Sequence, residues 1–127
     1  MTMPNERMRA LRWGRELLDV LAEQEALDPI IRQQVESILQ AYPMPGQLER
    51  LVADGALAIP ERAAVALQQA YLLFLRLDRE DGCSDAVLYD RQCTVRHFPD
   101  TGAIDLWSRP VPGHQLSDWL WLEGTYK

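Results

Sequence analysis

The stretch "CTVRHFPDTGAIDLW" (93–107) decides how this chain is read. It sets a cysteine and a histidine four residues apart, and it carries Pro-Asp-Thr-Gly at its centre. Asp, Thr and Gly in that order suit a type I turn closed by a left-handed glycine. The expectation is a β-hairpin with strands 94–98 and 103–107. In that register Phe98 faces Ala103, Arg96 meets Asp105, and Val95 meets Leu106. An ion pair on one face and an apolar pair on the other suit a half-buried hairpin. Trp107 then falls on the Arg96/Asp105 face, the less buried of the two.

Around this hairpin the pattern stays strand-like. "AVLY" (86–89) is a short apolar run bounded by polar residues, and "SRPVPGH" (108–114) is a loop. "DWLWLEGTYK" (118–127) reads as a last strand with Trp119 and Trp121 on one face, a short helix from Ser117 being the alternative.

Upstream the period is helical. Asn5 caps a first helix with apolar positions Ala10, Trp13, Leu17, Leu18 and Leu21. Asp28-Pro29 opens a second, striped by Ile31, Val35, Ile38, Leu39 and Tyr42 and stopped by Pro43. "PMPG" (43–46) is a rigid connector to a short third helix that Gly55 terminates. Pro60 opens the fourth, whose apolar face is Ala64, Leu67, Tyr71, Phe74 and Leu75. Ala63, Val65, Leu72 and Leu73 make that helix apolar nearly all round, which predicts a central place in the packing.

The fold class expected is therefore α+β: four helices in residues 1–80 packed with a small antiparallel sheet from 81–127. A chain of 127 residues suits one domain, since 47 residues make a weak independent core. A hydrophobic fraction of 47% is ordinary for a globular protein. The net charge of −6 disfavours general nucleic-acid or anionic-membrane binding. No apolar run approaches the about 18 residues of a membrane span, and the first residues lack a signal peptide's apolar core. A cytoplasmic location with two reduced cysteines follows as the expectation.

The opening "MTMPNERMRALRWGRELL", with "AYP" (41–43) after the second helix, resembles a group of short uncharacterised proteobacterial proteins. They begin with a similar MTxPxERxRAL segment and keep a Tyr-Pro after two helices. The resemblance covers about the first 45 residues and implies a bacterial helical module, with no activity attached.

Chemistry is thinly supported. Zinc sites bring cysteines as close pairs, whereas Cys83 and Cys93 are separated by nine residues. On a strand, Cys93 and His97 lie about 13 Å apart, too far for zinc bonds of roughly 2.0–2.3 Å. If "AVLY" and "TVRHF" pair through Asp90-Arg91-Gln92, the two sulfurs lie on the order of 20 Å apart, beyond disulfide reach. No metal or cofactor is expected. A pocket using Cys83, Tyr89 and His97 is the small-ligand or enzymatic alternative, without a motif that orients the histidine. No phosphate loop, G-x-S-x-G or H-E-x-x-H occurs.

Two features point to partners instead. Arg7, Arg9, Arg12 and Arg15 cluster beside Trp13, and cations in a first helical turn oppose the helix dipole. Gathered with Arg50 on one face, Arg7, Arg9 and Arg12 would make a nucleic-acid regulator the second alternative. The helix-turn-helix order of residues 31–55 is offset by a net negative candidate recognition helix. Trp107, Trp119, Trp121 and Tyr126 enrich the C-terminal residues in aromatics, which dominate binding hot spots. The leading expectation is a non-catalytic cytoplasmic bacterial protein-interaction or regulatory module. Its interface candidates are Arg7, Arg9, Arg12, Trp107, Trp119, Trp121 and Tyr126, with an unknown partner or a second copy opposite.

Overall fold

The computed structural model describes residues 2–120, and their regular structure is entirely helical. Six α-helices follow one another: α1 Pro4–Ala22, α2 Pro29–Ala41, α3 Gln47–Ala53, α4 Glu61–Arg76, α5 Asp85–Val95 and α6 Thr101–Trp107. Single 3-10 turns cover Arg79–Asp81 and Leu116–Asp118. α1 packs on α2 and α5, while α4 packs on α2, α5 and α6.

The first four helices start and stop near the expected places, with local differences. α1 begins at Pro4 rather than beyond Asn5, because the Met3 N–H donates to Glu6 Oε1 at 2.9 Å. At α2, Asp28 accepts from the Ile30 N–H at 2.8 Å and Pro29 takes the first helical position. Pro at that position forfeits no helical hydrogen bond.

The α+β expectation is overturned, and with it the sheet and the hairpin 94–98/103–107. "PDTG" is a helix start: Asp100 accepts from the Ala103 N–H at 2.8 Å and caps α6. Turn starts and helix starts both want an aspartate that accepts from a backbone N–H two or three residues on. The glycine distinguishes them, and Gly102 is absent from the residues with positive φ. The pairs predicted across the hairpin do not form. Asp105 instead pairs with Arg109, one helical turn ahead, at 2.7 Å. Leu106 is 43% exposed, while Phe98 is buried, edge-on to Phe74 at 5.6 Å.

"AVLY" is likewise the first half of α5, capped by Ser84, whose hydroxyl accepts from the Val87 N–H. α5 buries Val87 and Thr94 and half-buries Leu88, Arg91 and Val95, on the three- and four-residue spacing that a helix requires. Arg91 and Thr94 are polar types on that face, and the exposed Ala86 and Tyr89 are not, so the helical period is faint in a hydrophobicity pattern. Arg91 lies inward on its aliphatic stem and donates to the Phe74 carbonyl at 3.2 Å. In the tail, the described part of the expected strand is the end of the 3-10 turn, then Trp119 and Leu120. The remainder of that segment lies outside the described residues.

One contiguous core runs from Met8 to Leu120. Backbone hydrogen bonds between distant segments pin its rim. The Ile59 N–H donates to the Trp107 carbonyl (2.8 Å), Leu116 to Ala56 (3.0 Å), and Asp28 to Asp81 (2.8 Å). Tyr42 is buried and donates its hydroxyl to the Leu11 carbonyl inside α1. Gly14 makes that approach possible: a Cβ there would lie 2.5 Å from the Tyr42 oxygen and 2.7 Å from the Phe98 ring.

Substituting the α6 cap separates the helix from the hairpin experimentally. Asp100→Ala is expected to cost about 1 kcal/mol in urea unfolding, with Asp100→Ser retaining most of the stability. Equal losses for alanine and serine would contradict the cap.

Candidate functional site

The described sequence candidates do not converge on one place. Cys83 precedes the α5 cap Ser84 and is buried, while His97 follows the helix end at Arg96. The intervening helix of 11 residues is about 16 Å long. Tyr89 lies midway and is 67% exposed. Burial pushes the Cys83 thiol up, and Asp81 and Asp78 push it further the same way. A thiol so held is a poor nucleophile. The Tyr89 hydroxyl is raised chiefly by its hydrogen bond with Cys93, one turn further along α5. His97 faces the start of α1, with Nε2 3.1 Å from Glu6 and Nδ1 3.2 Å from the Thr2 hydroxyl. Glu6 itself is held below the usual carboxylate range, first by the Met3 N–H and to a lesser degree by His97.

The strand distance between Cys93 and His97 no longer applies, because Cys93 stands in α5. Among the described residues, no three His, Cys, Asp or Glu side chains gather as metal ligands would.

The arginines of α1 diverge as well. Arg7 and Arg9 point about 160° apart around the helix. Arg7 donates to the Trp119 carbonyl at 3.1 Å, so it fastens the chain near its C-terminal end. Arg15 donates to the Tyr42 carbonyl at 2.9 Å and fastens the connector after α2. Both cap backbone carbonyls that end a segment, which accounts for cations at this place without any phosphate. Arg9 is half-buried, and Arg12 lies exposed at the edge of a groove of about 160 Å³ beside the connector. Arg50 is exposed on α3.

The aromatic set divides. Trp107 is fully buried and belongs to the core. Trp119 is half-buried and stacks on His114 at 5.6 Å, and His114 in turn meets Asp118 at 3.2 Å. Trp121 and Tyr126 lie outside the described residues.

The surface that stands out is one that sequence reasoning passed over, on α4. This helix buries Ala63, Ala64, Ala66, Leu67, Ala70, Leu73 and Phe74. It leaves Val65 (45%), Leu72 (55%) and Leu75 (48%) in solvent. Beside them runs a shallow groove of about 290 Å³ between α2 and α4, lined by Gln34, Ser37, Ile38, Gln69, Leu72, Leu73 and Arg76. Arg76 donates from Nη2 to Gln34 across its rim. The exposed Ile30 (68%) lies one turn before Gln34 on α2. The sequence did carry the signal, since α4 is apolar nearly all round. That pattern reads as full burial, whereas Val65, Leu72 and Leu75 stand exposed here.

The arrangement suits docking better than chemistry. It is an apolar strip on a helix of about four turns, rimmed by amides and one guanidinium. Among the described residues that line the groove, none is a carboxylate or an imidazole. No protein family model matches the chain, and no curated protein or solved structure matches it. Among the described residues, no helix is long and apolar enough to cross a membrane.

Proposed function

We propose that this chain is a non-catalytic protein-interaction module of the bacterial cytoplasm, docking through the open face of α4 and the groove beside α2. One observation carries the reading: Val65, Leu72 and Leu75 lie exposed along a single helix, next to an apolar-floored groove. Single exposed leucines are ordinary, but apolar side chains grouped and rimmed by polar groups mark association surfaces. The dispersal of Cys83, Tyr89 and His97 along α5 weakens the case for a catalytic pocket. Arg7 and Arg15 of α1, fastened to backbone carbonyls, weaken the case for a nucleic-acid face, as does the charge of −6. A cytoplasmic site of action accords with cysteines that stand apart and unbridged.

The test is parallel affinity capture from the native host with wild-type and Leu72→Glu baits, each co-expressed with an untagged second copy of the chain. Leu72 is more than half exposed, so glutamate there leaves the core intact. The expected result is a set of bound proteins, the untagged copy included, that the wild type holds and L72E loses. Identical sets for both baits would sink the proposal.

A further inference from the structure

We infer that the occupant of the α4 face is a second copy of this chain, paired through α4 against α4 in antiparallel register. The inference rests on the interaction reading above and names its partner.

The spacing along α4 carries it. The helix spans Glu61–Arg76, so its midpoint falls between Gln68 and Gln69. Glu61 and Arg76 stand at equal distances either side of that point, and so do Val65 and Leu72. At 100° per residue, these four positions lie within about 60° of one another around the helix axis. All four are exposed. A twofold axis through the midpoint, perpendicular to α4, therefore brings complementary groups together. Glu61 of each copy meets Arg76 of the other, and Val65 of each meets Leu72 of the other. Closed dimers of this isologous kind are the commonest soluble assemblies.

The same stripe disfavours other arrangements. Parallel pairing would set Glu61 on Glu61 and Arg76 on Arg76, two like-charge contacts at the ends of the apolar pair. Antiparallel pairing turns both into opposite-charge contacts, and it also places each Glu61, at a helix N-terminus, beside a cation at the other helix's C-terminus. Arg76 already donates to Gln34. A guanidinium carries five N–H groups, so that bond leaves it able to meet a carboxylate. Association is driven by the apolar contacts, while the end charges select direction and register. The amides of Gln69 stand near the axis, where two copies of one amide can donate to each other.

The experiment measures oligomeric state by size-exclusion chromatography with light scattering over a wide range of protein concentration. The wild type is expected to pass from monomer to dimer, and Leu72→Glu to remain monomeric at every concentration. Glu61→Arg and Arg76→Glu are each expected to raise the dissociation constant roughly tenfold, because each creates two like-charge contacts. The double reversal, E61R with R76E, is expected to restore dimerisation, since both contacts regain opposite signs. Far-UV circular dichroism and thermal melts on each variant establish that it folds.

A wild type that stays monomeric throughout overturns the self-pairing. Loss in that case of a different protein by the L72E bait would leave the interaction reading standing, whereas unchanged capture would remove both. A dimer insensitive to L72E places the contact elsewhere and overturns the inference. Failure of the double reversal to recover what each single reversal loses overturns the antiparallel register.

Discussion

Trp107→Ala is expected to lose about 3–5 kcal/mol of folding stability, the usual cost of deleting a large aromatic from a packed core. The indole is 1% exposed, and the helix that carries it packs against α4. The Trp107 carbonyl accepts from the Ile59 N–H, but that bond is made by the backbone and survives the substitution. The measured loss therefore reports the side chain and the cavity it leaves. Against a typical total stability of about 5–15 kcal/mol, such a loss brings the protein near unfolding at ambient temperature. Urea denaturation followed by circular dichroism measures it, with Trp107→Phe as a smaller, cavity-reducing change. A loss under about 1 kcal/mol, the range of a surface tryptophan, would contradict the buried placement.

Gly82→Ala is expected to cost about 2–4 kcal/mol, from two causes that add. Gly82 has φ of +92°, in the left-handed region where a side chain is strained. A Cβ there would also lie 1.9 Å from the Ala26 carbonyl oxygen and 3.0 Å from the Leu27 Cα. Those are backbone atoms, and the adjacent Asp28 N–H to Asp81 carbonyl bond at 2.8 Å holds the two segments together. Relief of the clash must stretch that contact. Gly46 provides the control: its φ is +85°, yet a Cβ there would have nothing within 4 Å. Gly46→Ala should therefore show the conformational cost alone, about 1 kcal/mol. Equal losses at the two positions would mean that the approach of Gly82 to Ala26 is unimportant.

The contrast between the two halves of the chain has a physical cause. In α1 and α2 the inward positions are nearly all aliphatic, so the period of 3.6 residues is visible directly. Asp28-Pro29 supplies a cap and a first-turn proline that have no competing use. In α5 the inward Val87, Leu88 and Val95 are mixed with Arg91 and Thr94, and the outward Tyr89 is 67% exposed. Polar and apolar types fall on both faces there, so no amphipathic period stands out. α6 has seven residues, too few to show a period, and its start shares its aspartate with a turn. Local preference was balanced at both places, and long-range packing broke the tie.

The candidate site was legible in parts only. Exposed apolar residues on α4 are identical in type to the buried ones, so no pattern separates Leu72 from Leu73. Trp107 presents the opposite case: an aromatic expected at a sheet edge proved to be among the most deeply buried side chains. Arg7 and Arg15 looked available for phosphates, because the carbonyls they satisfy lie 112 and 27 residues away along the chain.

Short-range chemistry dictated the helical first part, the capping at Asp28, the stops at Pro43 and near Gly55, and a charge that disfavours polyanions. Apart from the charge, these depend on groups within one or two turns of each other. Only packing across the molecule made Cys93–Trp107 end one helix, turn at Arg96-His97 and begin another, and left one face of α4 open. Those outcomes depend on which surfaces meet at long range, where Phe98 and Trp107 gain more from burial against α4 than a two-stranded ribbon could offer them.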